Sequence, residues 1–236
     1  MVDICNKQLK IVYEGRDEML IVIGGMIGLG KTSVGDVLSE ALGAKMYYES
    51  VDDNPILPLY YTATAADTEA KRYPFLLQLW FLNSRYKALK DAASHSVHGI
   101  SIADRSIYED WYFAKTNYDL GRMNDLEFNI YTELLNNMMT EIKELPKKAP
   151  DLMIYLKGSF ESVIERIKNR GRAFELDDAL RDYYKLLWDK YDWWLENHYN
   201  HSKVYILDTD KYNVIHNLED RAFVLNEIKE ILNIKS

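Results

Sequence analysis

The sequence is nearly without cysteine: Cys5 stands alone in 236 residues. No intramolecular disulfide can form, so the fold must rest on a packed core, and a lone thiol near the N-terminus suits a reducing cytoplasm. Eleven glycines and five prolines are few. They nowhere gather with serine into a linker, which excludes low-complexity and fibrous classes and leaves one compact, helix-rich unit. No stretch approaches the roughly 18 uninterrupted apolar residues of a membrane span. The opening segment, MVDICNKQLKIVYEGRDEM, mixes charges throughout and lacks the apolar core of a signal peptide, so export is not expected. Positive charge is also scarce: 29 Lys and Arg against 37 Asp and Glu leave a net charge of −8. That balance excludes a nucleic-acid polymer or an acidic membrane as partner, because both are met with a broad basic footprint.

What is present is an ordinary globular composition, 47% hydrophobic and 28% charged, laid out in alternating patterns. Apolar runs at Leu20 to Ile23, Lys45 to Tyr48, Ile100 to Ala103, Leu152 to Leu156 and Val204 to Leu207 are too short for helices and read as buried strands. Helical patterns cover Lys31 to Leu42, Arg72 to Ser94, Ile107 to Asn117, Asn124 to Leu145, Ser159 to Asn169, Leu180 to His198 and His216 to Leu232. Strands alternating with helices predict an α/β fold, a five-stranded parallel sheet flanked by helices on both faces. Residues 1–18 read as an extension of uncertain order, and residues 19–236 as a single domain.

Gly25-Met26-Ile27-Gly28-Leu29-Gly30-Lys31-Thr32 fits G-x-x-x-x-G-K-[ST]. It follows a predicted strand and opens a predicted helix, the context this phosphate-binding loop (P-loop) requires. Gly25, Gly28 and Gly30 let backbone N–H groups curl round phosphate oxygens, and the helix N-terminus adds partial positive charge. Lys31 would neutralise the β- and γ-phosphates of ATP or another nucleoside triphosphate, and the Thr32 hydroxyl would ligate Mg²⁺. Ser33 is a further phosphate-binding candidate. The motif names neither acceptor nor reaction.

Parallel sheets bind ligands beyond the carboxyl ends of their strands, where two predicted strands carry acids. Glu49, in Tyr47-Tyr48-Glu49-Ser50, stands where a carboxylate can take a proton from an attacking hydroxyl, although position alone also describes a solvated loop residue. In Ile102-Ala103-Asp104-Arg105-Ser106, Asp104 can hold Mg²⁺ through water. Arg105 can orient Glu49 or bridge to the transferred phosphoryl group. The alternative for that pair is an ordinary surface ion pair. Arg166, Arg170 and Arg172 fall within seven residues; the first two share a helical face, and Gly171 predicts a helix stop that leaves Arg172 on a loop. An arginine lid over about residues 166–178 would stabilise a loose phosphoryl-transfer transition state, whereas a solvated basic face is the bland alternative.

Taken together, these motifs resemble those of the deoxynucleoside kinases, in particular the bacterial deoxyadenosine and deoxyguanosine kinases. The resemblance runs from about Met19 to the C-terminus. It rests on the phosphate loop, on Tyr48-Glu49-Ser50-Val51-Asp52-Asp53-Asn54-Pro55, on Phe75-Leu76-Leu77-Gln78 with Arg85, on Asp104-Arg105-Ser106-Ile107-Tyr108-Glu109-Asp110 and on Arg166-Ile167-Lys168-Asn169-Arg170-Gly171-Arg172. It implies a P-loop kinase fold, with Glu49 as general base on the nucleoside 5′-hydroxyl, Arg105 beside it and Asp104 near the metal. Gln78 would read the base edge, Arg85 and Asp110 would pair over the base, and Glu175 would bind the sugar 3′-hydroxyl. Tyr61 best matches the family tyrosine that meets that hydroxyl, with Tyr60 left open by the long segment 62–69. By the same resemblance, the acid at Asp110 implies that thymidine is disfavoured. A helix-packed homodimer is also implied.

The residues support the base site on their own account. Gln78 and Arg85 are seven apart on a predicted helix and interrupt an apolar stripe of Leu77, Trp80 and Phe81. An amide offers both a donor and an acceptor, which suits a nucleobase, unless that helix face simply meets water. The sequence therefore predicts Mg²⁺-dependent phosphorylation of a purine deoxynucleoside, with deoxycytidine still open. A nucleoside monophosphate kinase is the rival in the same fold, but its acceptor phosphate would need cations where Glu49 stands. A non-catalytic nucleotide-binding regulator would be expected to lack Lys31, Glu49 or Arg105. His198 and His201 read as surface residues rather than a metal pair. Trp188, Tyr191, Trp193 and Trp194 read as core or subunit contact.

Overall fold

Strand β1 (Met19–Gly25) carries Ile21, Val22 and Ile23 completely buried in succession. The lack of alternation means that both faces are covered, the condition of a central strand in a parallel sheet. In the computed structural model, which describes residues 18–49, 51, 53–145, 147–172, 175–176 and 180–234, β1 is joined by β2 (Lys45–Tyr47), β3 (Ile100–Asp104), β4 (Leu152–Lys157) and β5 (Lys203–Asp208). All pair in parallel in the order β2-β3-β1-β4-β5. The expected extension 1–18, apart from Glu18, lies outside the described residues, as do 173, 174, 177 and 178 of the expected lid.

Helices α1 (Lys31–Leu42), α4 (Tyr73–His95), α5 (Asp110–Asp119), α6 (Asp125–Ile142), α7 (Phe160–Arg170), α8 (Arg181–His198) and α9 (Leu218–Leu232) surround the sheet. Two short helices, α2 (Leu57–Thr62) and α3 (Ala65–Lys71), precede α4. The core is continuous: β1, β3 and β4 meet Leu38 of α1, Leu82 and Leu89 of α4, Tyr131 of α6 and Val163 of α7. Helix α8 adds Tyr191 and Trp194, both 1% exposed, so half of its aromatic cluster is core. Trp188 donates its indole N–H to the Gly158 carbonyl at 2.8 Å, and exposed Trp193 packs on His198. His201 stacks on Tyr108, and among the described residues no group of three or more His, Cys, Asp or Glu could hold a metal ion. Nor, among them, is any helix long and apolar enough to cross a membrane.

Several boundaries differ from the sequence pattern for identifiable reasons. The helix expected at Ile107 to Asn117 opens as a 3₁₀ turn, Ile107–Glu109, in which Ser106 and Glu109 form a reciprocal capping box before α5 begins. The helix expected from Asn124 starts one residue later, because Asn124 is its cap and pairs with Glu127 in the same way. At the last helix the Asn217 side chain accepts from the Glu219 and Asp220 N–H groups, which delays the start to Leu218. Segment 62–69 is largely helical: Thr64 caps α3, which buries no residue and so shows no hydrophobic periodicity.

The Asn124 cap gives a direct test of how α6 is held. Asn124→Ala should cost on the order of 1 kcal/mol and lower Tm by about 2–4 °C in thermal unfolding. An unchanged Tm would show that the start of α6 is fixed by its packing alone.

Candidate active site

The β1–β3 register sets Ile23 beside Asp104, and β2 pairs Tyr47 with Ala103. The phosphate loop, Glu49 and the Asp104-Arg105 turn therefore leave the same edge of the sheet. Gly25 adopts φ 134°, and a Cβ there would lie 2.6 Å from the Leu156 carbonyl oxygen, so only glycine fits. Lys31 is buried, and its Nζ donates to the Gly25 and Met26 carbonyls, each at 2.9 Å. Burial, and then the Arg105 guanidinium, pull its pKa down to about 7. Thr32 donates its hydroxyl to Asp104 Oδ2 at 2.5 Å, while Asp104 Oδ1 is buried without a partner. Burial, followed by the nearby Glu49 charge, raises the Asp104 pKa. A hydroxyl and an orphaned carboxylate oxygen beside a phosphate loop form a hard-oxygen donor set that fits Mg²⁺.

Glu49 is gripped by two arginines. Arg85, from α4, donates Nε to Glu49 Oε1 at 3.0 Å and Nη2 to the same oxygen, and it also donates Nη1 to Asp110. Arg105 donates Nε to Glu49 Oε2 at 3.3 Å. Desolvation pushes the Glu49 pKa up, but Arg85 and Arg105 outweigh it and hold the carboxyl at about 2. Asp110, completely buried behind Arg85, has its pKa raised by burial. Arg105 occupies the left-handed region at φ 73° and lies over the Phe113 ring, 4.9 Å from its centroid. Gln78 is buried two turns before Arg85 on the same face of α4, and its Oε1 has no partner among the described residues.

The two tyrosines left open by the sequence are distinguished by their bonds. Tyr60 lines the cavity as Tyr61 does, and its hydroxyl donates to Asn117 at 2.9 Å and accepts from Arg122 at 2.8 Å. Tyr61 is hydrogen-bonded to Tyr184, whose hydroxyl donates to the Glu175 carbonyl at 3.3 Å.

Helix α7 ends at Gly171, φ 73°, as its sequence predicts. Its arginines divide the work. Arg166 donates to the Leu29 carbonyl at 3.2 Å and to Thr209, whose hydroxyl and carbonyl lie at 3.0 and 2.8 Å. Arg166 thus braces the phosphate loop against the loop after β5. Arg170 pairs with Glu175 Oε2 at 2.5 Å, and Arg172 lies 3.7 Å from the other oxygen.

Most of the site residues line one cavity of about 750 Å³. Every candidate residue from the sequence lines it except Gly25 and Asp110, which stand directly behind the lining. Val51, Leu57 and Phe113 add apolar walls that the motif reading did not single out. It also missed the role of Glu109, which is completely buried and accepts the Gly25 N–H at 3.0 Å and the Ser106 N–H at 2.9 Å. Only its place in a capping pattern three residues after Ser106 could have signalled it.

The chain is similar to known kinases in both sequence and fold. A deoxyguanosine kinase of Lactobacillus acidophilus is 44% identical over 216 residues, 90% of each chain. A deoxyadenosine kinase of the same organism is 43% identical over 90% of this chain and 96% of its own. Among solved structures, deoxyadenosine kinase from M. mycoides with bound dATP superposes with a TM-score of 0.71 at 27% identity, covering 89% of this chain and 98% of that one. The sequence model for the deoxynucleoside kinase family matches residues 21–233, nearly the whole described fold, and the chain belongs to that family.

Proposed function

We propose that this protein transfers the γ-phosphate of ATP, or another nucleoside triphosphate, to the 5′-hydroxyl of deoxyadenosine or deoxyguanosine, with deoxycytidine a further candidate. The observation that carries this reading is that the phosphate loop, Glu49, Gln78 and Arg85 line one cavity, with Asp110 paired to Arg85 behind it. The amide and the Arg85–Asp110 pair offer donors and acceptors to a base edge. Glu175 and Tyr61 lie where the sugar would pass, and Arg166, Arg170 and Arg172 flank the phosphate side. The relatives similar to this chain include kinases of both purine deoxynucleosides at nearly equal identity, so neither purine is preferred on that ground.

In the proposed reaction the 5′-oxygen attacks the γ-phosphorus in line, the bond from that phosphorus to the β,γ-bridging oxygen breaks, and the nucleoside diphosphate leaves. The hydroxyl proton passes to Glu49. A carboxylate held at about 2 by two arginines is a weak base. A loose transition state asks little more, because the proton leaves late. Glu49 therefore orients the hydroxyl as much as it deprotonates it. Lys31 and the lid arginines meet the charge on the transferred group. Thr32 and Asp104 would hold Mg²⁺, which when bound neutralises the donor phosphates.

A homodimer through α6 accompanies this reading. Leu126, Ile130 and Leu134, four residues apart on one helical face, are 69%, 46% and 36% exposed, and Leu76 of the adjoining α4 is exposed as well. A cytoplasmic setting rests on the single cysteine.

With Mg²⁺ and ATP, the protein should phosphorylate deoxyadenosine and deoxyguanosine but neither thymidine nor deoxyadenosine monophosphate. Phosphorylation of the monophosphate instead would replace this reading by the monophosphate-kinase one. Glu49→Gln should lower kcat by ~10²-fold or more while the nucleoside KM stays within a few-fold; steady-state kinetics with unchanged turnover would remove Glu49 from the chemistry. Light scattering should give a dimer mass for the parent and a monomer mass for Ile130→Glu, and a monomeric parent would overturn the proposed interface.

A further inference from the structure

A completely buried carboxylate is expensive unless its oxygens are partnered, and an apolar residue of similar volume would pack as well. Glu109 is such a carboxylate, and its bonds run in three directions. Oε2 accepts the Ser106 N–H at 2.9 Å. Oε1 accepts the Gly25 N–H at 3.0 Å and the Tyr191 hydroxyl, and Arg105 Nη1 lies 3.5 Å from it. One side chain thus joins the first glycine of the phosphate loop, the turn that carries Arg105, and helix α8.

Two features separate this from an ordinary helix cap. Arg105 is held at φ 73°, a conformation that a residue with a side chain keeps only when its surroundings over-determine it. Its own N–H donates to the Ile23 carbonyl at 2.9 Å, and the next N–H, of Ser106, donates to Glu109, so the strained residue is pinned on both sides. The Gly25 peptide groups are pinned likewise. Its N–H is taken by Glu109, while its carbonyl accepts Lys31 Nζ at 2.9 Å and lies 3.5 Å from Arg105 Nη1. Lys31 and Arg105 repel one another, and Glu109 attracts both.

We propose that Glu109 is a positioning residue for phosphoryl transfer. It fixes the Gly25 backbone and the Arg105 turn so that Lys31 and Arg105 meet the transferred phosphoryl group together, and Tyr191 steadies its carboxylate. It does not line the cavity and acts only through those groups. The proposal rests on the phosphoryl-transfer reading of Lys31 and Arg105.

The test is steady-state kinetics of Glu109→Gln and Tyr191→Phe with deoxyadenosine or deoxyguanosine and ATP, alongside thermal unfolding. Glu109→Gln keeps the shape but loses the charge and one acceptor oxygen. Its kcat should fall ~10- to 100-fold, as for a misplaced catalytic group, with both KM values within about 3-fold. Tyr191→Phe should show the same pattern more weakly, with kcat reduced about 3- to 10-fold. Because Glu109 acts in part through Arg105, adding Glu109→Gln to Arg105→Lys should slow the enzyme by a smaller factor than Glu109→Gln slows the parent. A purely structural Glu109 would lower Tm, leave kcat per folded molecule unchanged, and multiply with Arg105→Lys; any of the last two results overturns the proposal. If Glu109→Gln does not fold, an unchanged kcat in Tyr191→Phe overturns it instead. A parent inactive on every deoxynucleoside would refute the underlying functional reading, which full activity in Glu109→Gln would leave intact.

Discussion

Ile23 stands beside Asp104 where β1 pairs with β3, and the site is built outward from that contact. Two residues past Ile23 the phosphate loop begins, and one residue past Asp104 comes Arg105, whose N–H continues the ladder to the Ile23 carbonyl. A slip of one residue in this pairing would turn Asp104 to the opposite face and part it from Thr32. The full burial of both strands penalises any such slip, because it would carry Ile21, Ile23 and Ile102 out of their packing places. The hydrophobic core thereby fixes the geometry of the polar site, and Phe113 of that core also forms part of its wall.

Within that frame the charges are arranged so that nearly every one has an opposite. Glu49 faces two arginines, Asp110 shares one of them, and Glu175 answers Arg170 and Arg172. Lys31 is treated differently. No described carboxylate pairs with it, and loop carbonyls satisfy its ammonium group, so its charge is held ready for a ligand. A chain with a net charge of −8 can still offer cations to a phosphate group, because Lys31, Arg85, Arg105, Arg166, Arg170 and Arg172 line the same cavity.

The sequence made the phosphate loop, the five strands and the Gly171 helix stop legible because each is written locally, in spacing and burial pattern along a single element. What it could not reveal depends on contacts across long stretches of chain. Helix α3 buries nothing, so no periodicity announced it. Arg166 lines the cavity with Arg170 and Arg172, but no local pattern announces that it also reaches Leu29 and Thr209 and so braces the loop. Arg85 was paired with Asp110 through the family resemblance, yet its grip on Glu49, 36 residues away, follows from how α4 crosses the end of β2. Glu109 sat inside a motif already noticed, but no spacing rule says that its carboxylate turns back 84 residues to Gly25.

The place of β1 in the sheet also bears on how the chain comes to be folded. It is the first of the described strands to be made, yet its two neighbours are β3, beginning at Ile100, and β4, beginning at Leu152. At ribosomal speeds of ~5–20 residues per second, β1 waits roughly 6–25 s for β4 to be synthesised. Throughout that wait its apolar run is unpaired on at least one edge and open to association with other nascent chains. Gly25 pairs with Leu156, so about two thirds of the polypeptide must exist before the strand that carries the phosphate loop has its outer neighbour.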